Sequence, residues 1–96
     1  MRTIKRATAF RKDFKRMLAT PRHAKDAPQF LINILALLAE DVPLSASCRD
    51  HALVGNWVGH RECHIKPDLL LIYRLEEDSG VLELVRLGSH SELFSR

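Results

Sequence analysis

The sequence predicts an α+β fold: two amino-terminal helices packed on an antiparallel sheet in the order β-α-α-β-β-β-β, with a short carboxyl-terminal helix. Three observations lead there. Apolar residues recur at helical spacing only in the first 40 positions. After residue 50 come four runs rich in Val, Leu, Ile and aromatic residues, separated by short Gly-, Pro-, Asn- and Asp-bearing segments. Connections that short permit antiparallel hairpins and leave no room for helical crossovers. Helices first and strands after is the segregated arrangement of an α+β domain.

The elements follow in chain order. Residues 2–6 read as a short strand. Beyond Thr8, a candidate N-cap, the residues Phe10, Phe14, Met17 and Leu18 fall at i, i+4, i+7 and i+8, with Arg11, Lys12, Lys15 and Arg16 between them. This is an amphipathic helix with a basic outer face, and Pro21 ends it near Thr20 by disfavouring a helical conformation at the residue before it. A second helix starts with Asp26 as N-cap, Pro28 in the first turn and Gln29 at the capping-box position. Phe30, Ile34, Leu37 and Leu38 make its stripe and Leu31 and Leu35 widen it, so it needs a broad partner such as a sheet. Strands are expected at 52–54, 57–65, 69–76 and 81–87. In the second of these, alternation places Trp57, Gly59, Arg61, Cys63 and Ile65 on one face and Val58, His60, Glu62 and His64 on the other, the polar one. Finally, Ser89 with Glu92 three residues on forms a capping box, putting His90 in the first turn of a short helix and Phe94 on its side.

Ninety-six residues suffice for one domain, 1–96, with one core. A chain 46% hydrophobic and 28% charged matches a globular domain and not a disordered one. Its longest apolar stretch, 30–39, contains Asn33 and is about half a membrane span. The amino end has charge without an apolar h-region, so a cytoplasmic location is expected, with no membrane partner. Cys48 and Cys63 are too far apart in sequence for a close-spaced metal or redox pair, and reduced thiols are expected. Charge is uneven: the first 25 residues hold nine Arg and Lys against Asp13 alone, and the remainder holds six against eleven acids. That cluster suits a phosphate backbone or an acidic protein, or is simply a solvated helix face.

The chemistry-bearing residues gather around "GHRECHIKPDLLLIY", where two histidines, a glutamate and a cysteine lead into a buried strand. Desolvating such groups is costly, so they are either hydrogen-bonded or used. His64 ends the strand and Asp68 follows across Lys66-Pro67, near enough in sequence to approach one another; a turn carboxylate capping backbone amides is the plainer alternative. Zinc is disfavoured, because His60 and Cys63 point to opposite faces of a strand and the order H-R-E-C-H is not that of the helical zinc motif.

The segments "DHALVGNWVGHRECHIKPDLLLIYRL" and "LVRLGSHSELF" contain D-H-x-L, W-x-G-x-R-x-x-H, Pro-Asp before an apolar strand, and R-x-G-x-H-x-x-L-F. In this order and spacing the chain resembles the YafQ branch of the RelE/ParE superfamily of bacterial toxins over essentially its whole length. The resemblance implies a RelE-like fold and a metal-independent endoribonuclease with no cofactor, cleaving messenger RNA in the ribosomal A site and held inactive by a cognate antitoxin. It places the site on His51, His64, Asp68, Arg86, His90 and Phe94, with His90 the leading proton-transfer group. Arg11, Lys12, Lys15 and Arg16 are the candidate contacts to RNA or ribosome. Some relatives carry Trp directly after Pro-Asp, where this chain has Leu69. The superfamily also includes toxins that act on gyrase by binding alone, and the alternative is a non-catalytic module of that ParE type. A pure binder has no need of the His, Asp and Arg set.

Overall fold

The computed structural model describes residues 1–94. A five-stranded sheet in the order β1-β5-β4-β3-β2 is assembled from β1 (Thr3–Arg6), β2 (His51–Ala52), β3 (Arg61–Lys66), β4 (Leu69–Glu76) and β5 (Val81–Gly88). One face carries the helices α1 (Thr8–Leu18), α2 (Pro21–Ala24) and α3 (Ala27–Ala39), and α4 (His90–Phe94) follows β5. No helix among the described residues is long and apolar enough to cross a membrane.

The fold class is as expected, with one difference in the sheet. The meander β2-β3-β4-β5 is antiparallel, but β1 lies parallel to β5, from Thr3 beside Val81 to Arg6 beside Leu84, so the sheet is mixed. Hairpin logic constrains consecutive strands only, and these two are separated by nearly the whole chain. Where β1 begins, the Arg2 guanidinium meets Asp41 after α3 at 2.8 Å and Glu77 in the β4–β5 turn at 3.1 Å. The Thr3 N–H then donates to the Gly80 carbonyl, so both strands begin at the same end.

Packing explains the shifts in element boundaries. Thr8 is the first helical residue, after Ala7, and makes no side-chain cap. Pro21 opens the extra turn α2, at the position where its missing N–H costs nothing. Asp26 does precede α3, yet its carboxylate caps no amide and takes the Lys66 ammonium at 2.9 Å instead. The buried stripe of α3 is Ala27, Leu31, Ile34 and Leu38, whereas Phe30 and Leu37 are 43% and 37% exposed. In a helix apolar nearly all round, periodicity does not fix the rotation; Ala27, fully buried, lets the helix lie close to the sheet. The strand expected over 57–65 begins only at Arg61. Gly55–Trp57 is a 3₁₀ turn, and Gly55 and Gly59 have φ of 67° and 90°, a left-handed conformation that breaks extended pairing.

Phe10 and Met17 of α1 and the α3 stripe pack on Cys63, Ile65, Leu69, Leu71, Tyr73, Leu82, Leu84 and Leu87. On the opposite sheet face, Leu70, Ile72 and Leu93 form a smaller cluster with Leu53, Trp57, Val85 and Phe94. A buried carboxylate joins the two. Strand β1 covers β5 only up to Leu84; beyond it, α1 covers the edge and Asp13, 3% exposed, accepts the Leu87 N–H at 2.9 Å. The same carboxylate takes Arg86 through two nitrogens, at 2.7 and 3.2 Å, and Arg16 at 3.2 Å. Arg16 continues to Glu92 at 3.4 Å, and Glu92 closes the expected capping box with Ser89. A Cβ on Gly88 would lie 2.9 Å from the Glu92 carboxylate and 3.1 Å from the Arg16 guanidinium, so a larger residue here would displace the ends of those two side chains.

Replacing Asp13 with Ala leaves an amide and two guanidinium groups without their acceptor, and should cost about 3 kcal/mol, seen as a Tm lower by more than about 10 °C. A second expectation concerns acid. The Ser89 N–H, followed by Arg16, holds the Glu92 carboxyl below its ordinary value of 4.5. A lowered folded value means that the contribution is complete above pH 4.5 and disappears as pH falls through the lowered value. Amide protection in α4 should fall over that interval, and Glu92→Gln should remove the dependence.

Candidate active site

The face of the sheet opposite α1 and α3 carries the polar residues. Strand register arranges them in rows: His51 is opposite Glu62, Glu62 opposite Ile72, and Ile72 opposite Arg86. Two residues further along β3, His64 is opposite Leu70, which is opposite Gly88. With strands about 4.8 Å apart, the first row spans about 14 Å from His51 to Arg86. His90 begins α4 two residues beyond Gly88. Histidines from β2, β3 and α4 and an arginine from β5 therefore border one shallow apolar floor of Leu70 and Ile72.

Local chemistry orients each side chain. The His51 Nδ1 lies 2.6 Å from the Arg49 carbonyl; a carbonyl can only accept, so Nδ1 carries the hydrogen and Nε2 is turned to the Glu62 carboxylate at 3.4 Å. Glu62 is 6% exposed, so this contact lies where the protein excludes most water. Arg86 uses Nε and Nη2 on Asp13, which leaves Nη1 for a further acceptor. The Asp13 hydrogen bond also raises the Arg86 pKa above its ordinary value, so its charge is permanent. His90 packs on Phe94 with ring centroids 4.9 Å apart; Phe94 meets Trp57 at 6.2 Å, and Trp57 meets His60 edge-on at 5.4 Å. This aromatic chain borders one side of the floor. The His60 Nδ1 is buried without a hydrogen-bond partner.

His51, His64, Arg86, His90 and Phe94 thus share the sheet face or its end. Asp68 does not join them: it sits in the β3–β4 turn, with Arg22 at 2.9 Å and His23 at 3.8 Å, both from α2 on the helix side. The approach of His64 to Asp68 is not formed, because the turn directs Asp68 toward α2. Of the four amino-terminal cations, Arg11, Lys12 and Lys15 are exposed, while Arg16 is committed to Asp13, Glu92 and the Leu87 carbonyl.

Sequence reasoning passed over Glu62 and Asp13. The first could have been found two residues before His64 on the polar face, opposite a strand beginning with histidine. The second was the one acid in a basic quarter, at i+3 from Phe10 and i−4 from Met17, that is, on the buried side of its helix. Cys63 is buried, and burial pushes its thiol pKa up, leaving it unreactive. Among the described residues no three His, Cys, Asp or Glu side chains converge closely enough to hold a metal ion.

Proteins of known structure and name are similar to this chain in sequence and fold. The mRNA interferase toxin YafQ of Escherichia coli strain K12 is 38% identical over 97% of this chain and 96% of its own. A metal-bound toxin from Helicobacter pylori superposes with a TM-score of 0.87 at 41% identity, covering 98% of this chain and all of that one. The toxin in the E. coli DinJ-YafQ complex gives a TM-score of 0.81 at 38% identity, covering 99% and 100%. The family model for YafQ, the bacterial toxin of a type II toxin-antitoxin system, matches residues 2–95. The chain therefore belongs to the YafQ family of type II toxins.

Proposed function

We propose that the chain is an mRNA-cleaving endoribonuclease that acts through the ribose 2′-OH. The observation that carries this is the row His51-Glu62-Ile72-Arg86 with His64 and His90 at its side, which offers proton acceptors, a proton donor and a fixed cation over one floor. Further support comes from the relative named an mRNA interferase.

Cleavage by this route has three requirements. The 2′-OH gives up a proton as its oxygen attacks phosphorus, the 5′-oxygen takes one as the P–O bond breaks, and the phosphorane between them carries added negative charge. Arg86, held rigid by Asp13 with Nη1 still available, meets the phosphate oxygens. His90 is one proton-transfer group, fixed by packing on Phe94. Across the floor, His64 and the Glu62-paired His51 supply the other. Asp68 acts at a distance, by holding the β3–β4 turn to α2. Phe94 and Trp57 offer ring faces on which a base can stack, in place of the Trp that some relatives have where Leu69 is buried in the helix-side core.

Recognition is assigned to the exposed Arg11, Lys12 and Lys15 on α1, which suit the phosphates of messenger or ribosomal RNA. The natural inhibitor is an antitoxin, as DinJ is the partner of YafQ in the E. coli complex, and a basic first quarter favours an acidic partner.

His90→Ala should slow cleavage by about 10² to 10⁴ while leaving RNA affinity within about twofold. The wild-type product should carry a 2′,3′-cyclic phosphate and a free 5′-hydroxyl, and an RNA with one 2′-deoxy nucleotide at the scissile position should bind without being cut. Cleavage of that deoxy substrate at the normal rate would eliminate the mechanism; growth inhibition with no cleavage would instead indicate a binding toxin. Reversing Lys12 and Lys15 to Glu should weaken RNA or ribosome binding strongly at low salt and little at high salt, measured as a flatter dependence of log Kd on log salt.

A further inference from the structure

Beside the site lies a cleft of about 560 Å³ bordered by Ser47, Cys48, Arg49, His64, Lys66 and Pro67. Its size falls within the range of about 300 to 1,000 Å³ usual for small-molecule sites. It forms because β2 pairs with β3 only at Arg61 and Glu62. From Cys63 to Lys66 the outer edge of β3 has no strand partner, and the 3₁₀ turn Ala46–Cys48 stands across from it. Strand edges present free N–H and C=O groups.

We propose that this cleft is a subsite for the nucleotide adjoining the scissile phosphate of single-stranded RNA, with Arg49 on that nucleotide's phosphate and the β3 edge reading its base. The proposal rests on the endoribonuclease reading of the neighbouring face. Continuity is the first argument, since His64 lies on the polar face beside that row and also forms a wall of the cleft. Charge is the second. Lys66 is already committed to the Arg22 carbonyl at 2.7 Å and the Asp26 carboxylate at 2.9 Å, but Arg49 has no ion-pair partner among the described residues. An exposed guanidinium at the mouth of a concave site matches a phosphate in charge and in its forked geometry.

The third argument is conformational. Arg49 has φ of 51°, a left-handed backbone that is uncommon for a residue with a side chain, and its carbonyl is the group that fixes His51 at 2.6 Å. One strained residue therefore orients a proton-transfer group with its backbone and borders the cleft with its side chain. A nucleotide held there places the adjoining ribose and phosphate over His64 and His51. Bases carry donors and acceptors on their edges that main-chain groups can meet. An extended peptide could also use a strand edge and offer a carboxylate to Arg49, but His64 ties the cleft to the polar face and a phosphate matches the guanidinium fork, so RNA is the occupant favoured here.

The test uses the full chain, ¹⁵N-labelled, and a hexamer of 2′-O-methyl RNA, which lacks the nucleophile and stays intact. Amide shifts should appear at Ser47 to Arg49 and His64 to Lys66. Arg49→Gln should weaken binding roughly tenfold, the scale of one charge-assisted contact, with Arg49→Lys recovering most of it; on cleavable RNA the loss should fall on KM, with kcat changed by no more than about twofold. Ser47→Trp, which fills the cleft from the turn, should weaken binding similarly. His90→Ala should leave the shifts and the affinity in place; RNA in the cleft without any cleavage by the wild type would uphold an RNA-binding cleft while refuting the nuclease and with it the scissile-phosphate assignment. Wild-type affinity in both Arg49→Gln and Ser47→Trp, with RNA still cut, would refute the subsite alone. Shifts there with an antitoxin peptide and none with RNA would also overturn it.

Discussion

Much of this molecule depends on one buried carboxylate. Asp13 lies where β1 has ended and α1 takes over the outer edge of β5, and it receives the Leu87 N–H that another strand would have paired. A carboxylate in that position is costly to desolvate unless its lone pairs are filled. Here the amide, Arg86 and Arg16 fill them. The consequence is geometric as much as energetic. Helix α1, strand β5 and, through Arg16 and Glu92, helix α4 are held by a single connected set of charges.

That set also positions the site. Arg86 is presented near the end of β5 with two of its nitrogens already bound to Asp13, so its guanidinium is held in one orientation. His90 enters on a five-residue helix too short to be stable in isolation. It persists because Leu93 is buried, Ser89 and Glu92 cap each other, and Gly88 leaves room for the Arg16–Glu92 contact. His51 and Glu62 gain comparable rigidity from pairing across β2 and β3. Catalytic groups placed on strand and helix ends are restrained in a way that loop residues are not.

The course of the chain was largely legible. Alternation along 61–65 gave the correct faces for Cys63 and Ile65 against Glu62 and His64, because a strand with one buried side admits a single register. The Ser89–Glu92 box was equally plain, since its signal is local. What escaped was set by partners far along the chain. The parallel β1 depends on a ladder with β5, nearly the whole chain away; the rotation of α3 depends on the sheet beneath it; Asp68 is drawn to Arg22 and not to His64. A periodicity in one segment holds no information about a partner 40 or 70 residues away. Asp13 is the instructive case: its neighbours in sequence are cations, which suggests a surface position, and only its phase relative to Phe10 and Met17 shows that it points inward.

The two kinds of positive charge in the chain have different reach, which separates binding from chemistry. Arg11, Lys12 and Lys15 project into solvent, where salt screens their field within about 8 Å under physiological conditions. They can gather a polyanion but cannot tell a ground-state phosphate from a phosphorane. Arg86 is half-buried, and its charge is already balanced by Asp13, while Arg16 and Glu92 balance one another. Such a nearly neutral cluster adds little to long-range attraction. What it offers is a fixed guanidinium edge whose remaining N–H donors interact more strongly as charge grows on the oxygen they meet, at no cost of reorganisation. An enzyme gains rate only from contacts that improve on the way to the transition state, and in the proposed mechanism the buried aspartate, by fixing Arg86, lets it act as such a contact.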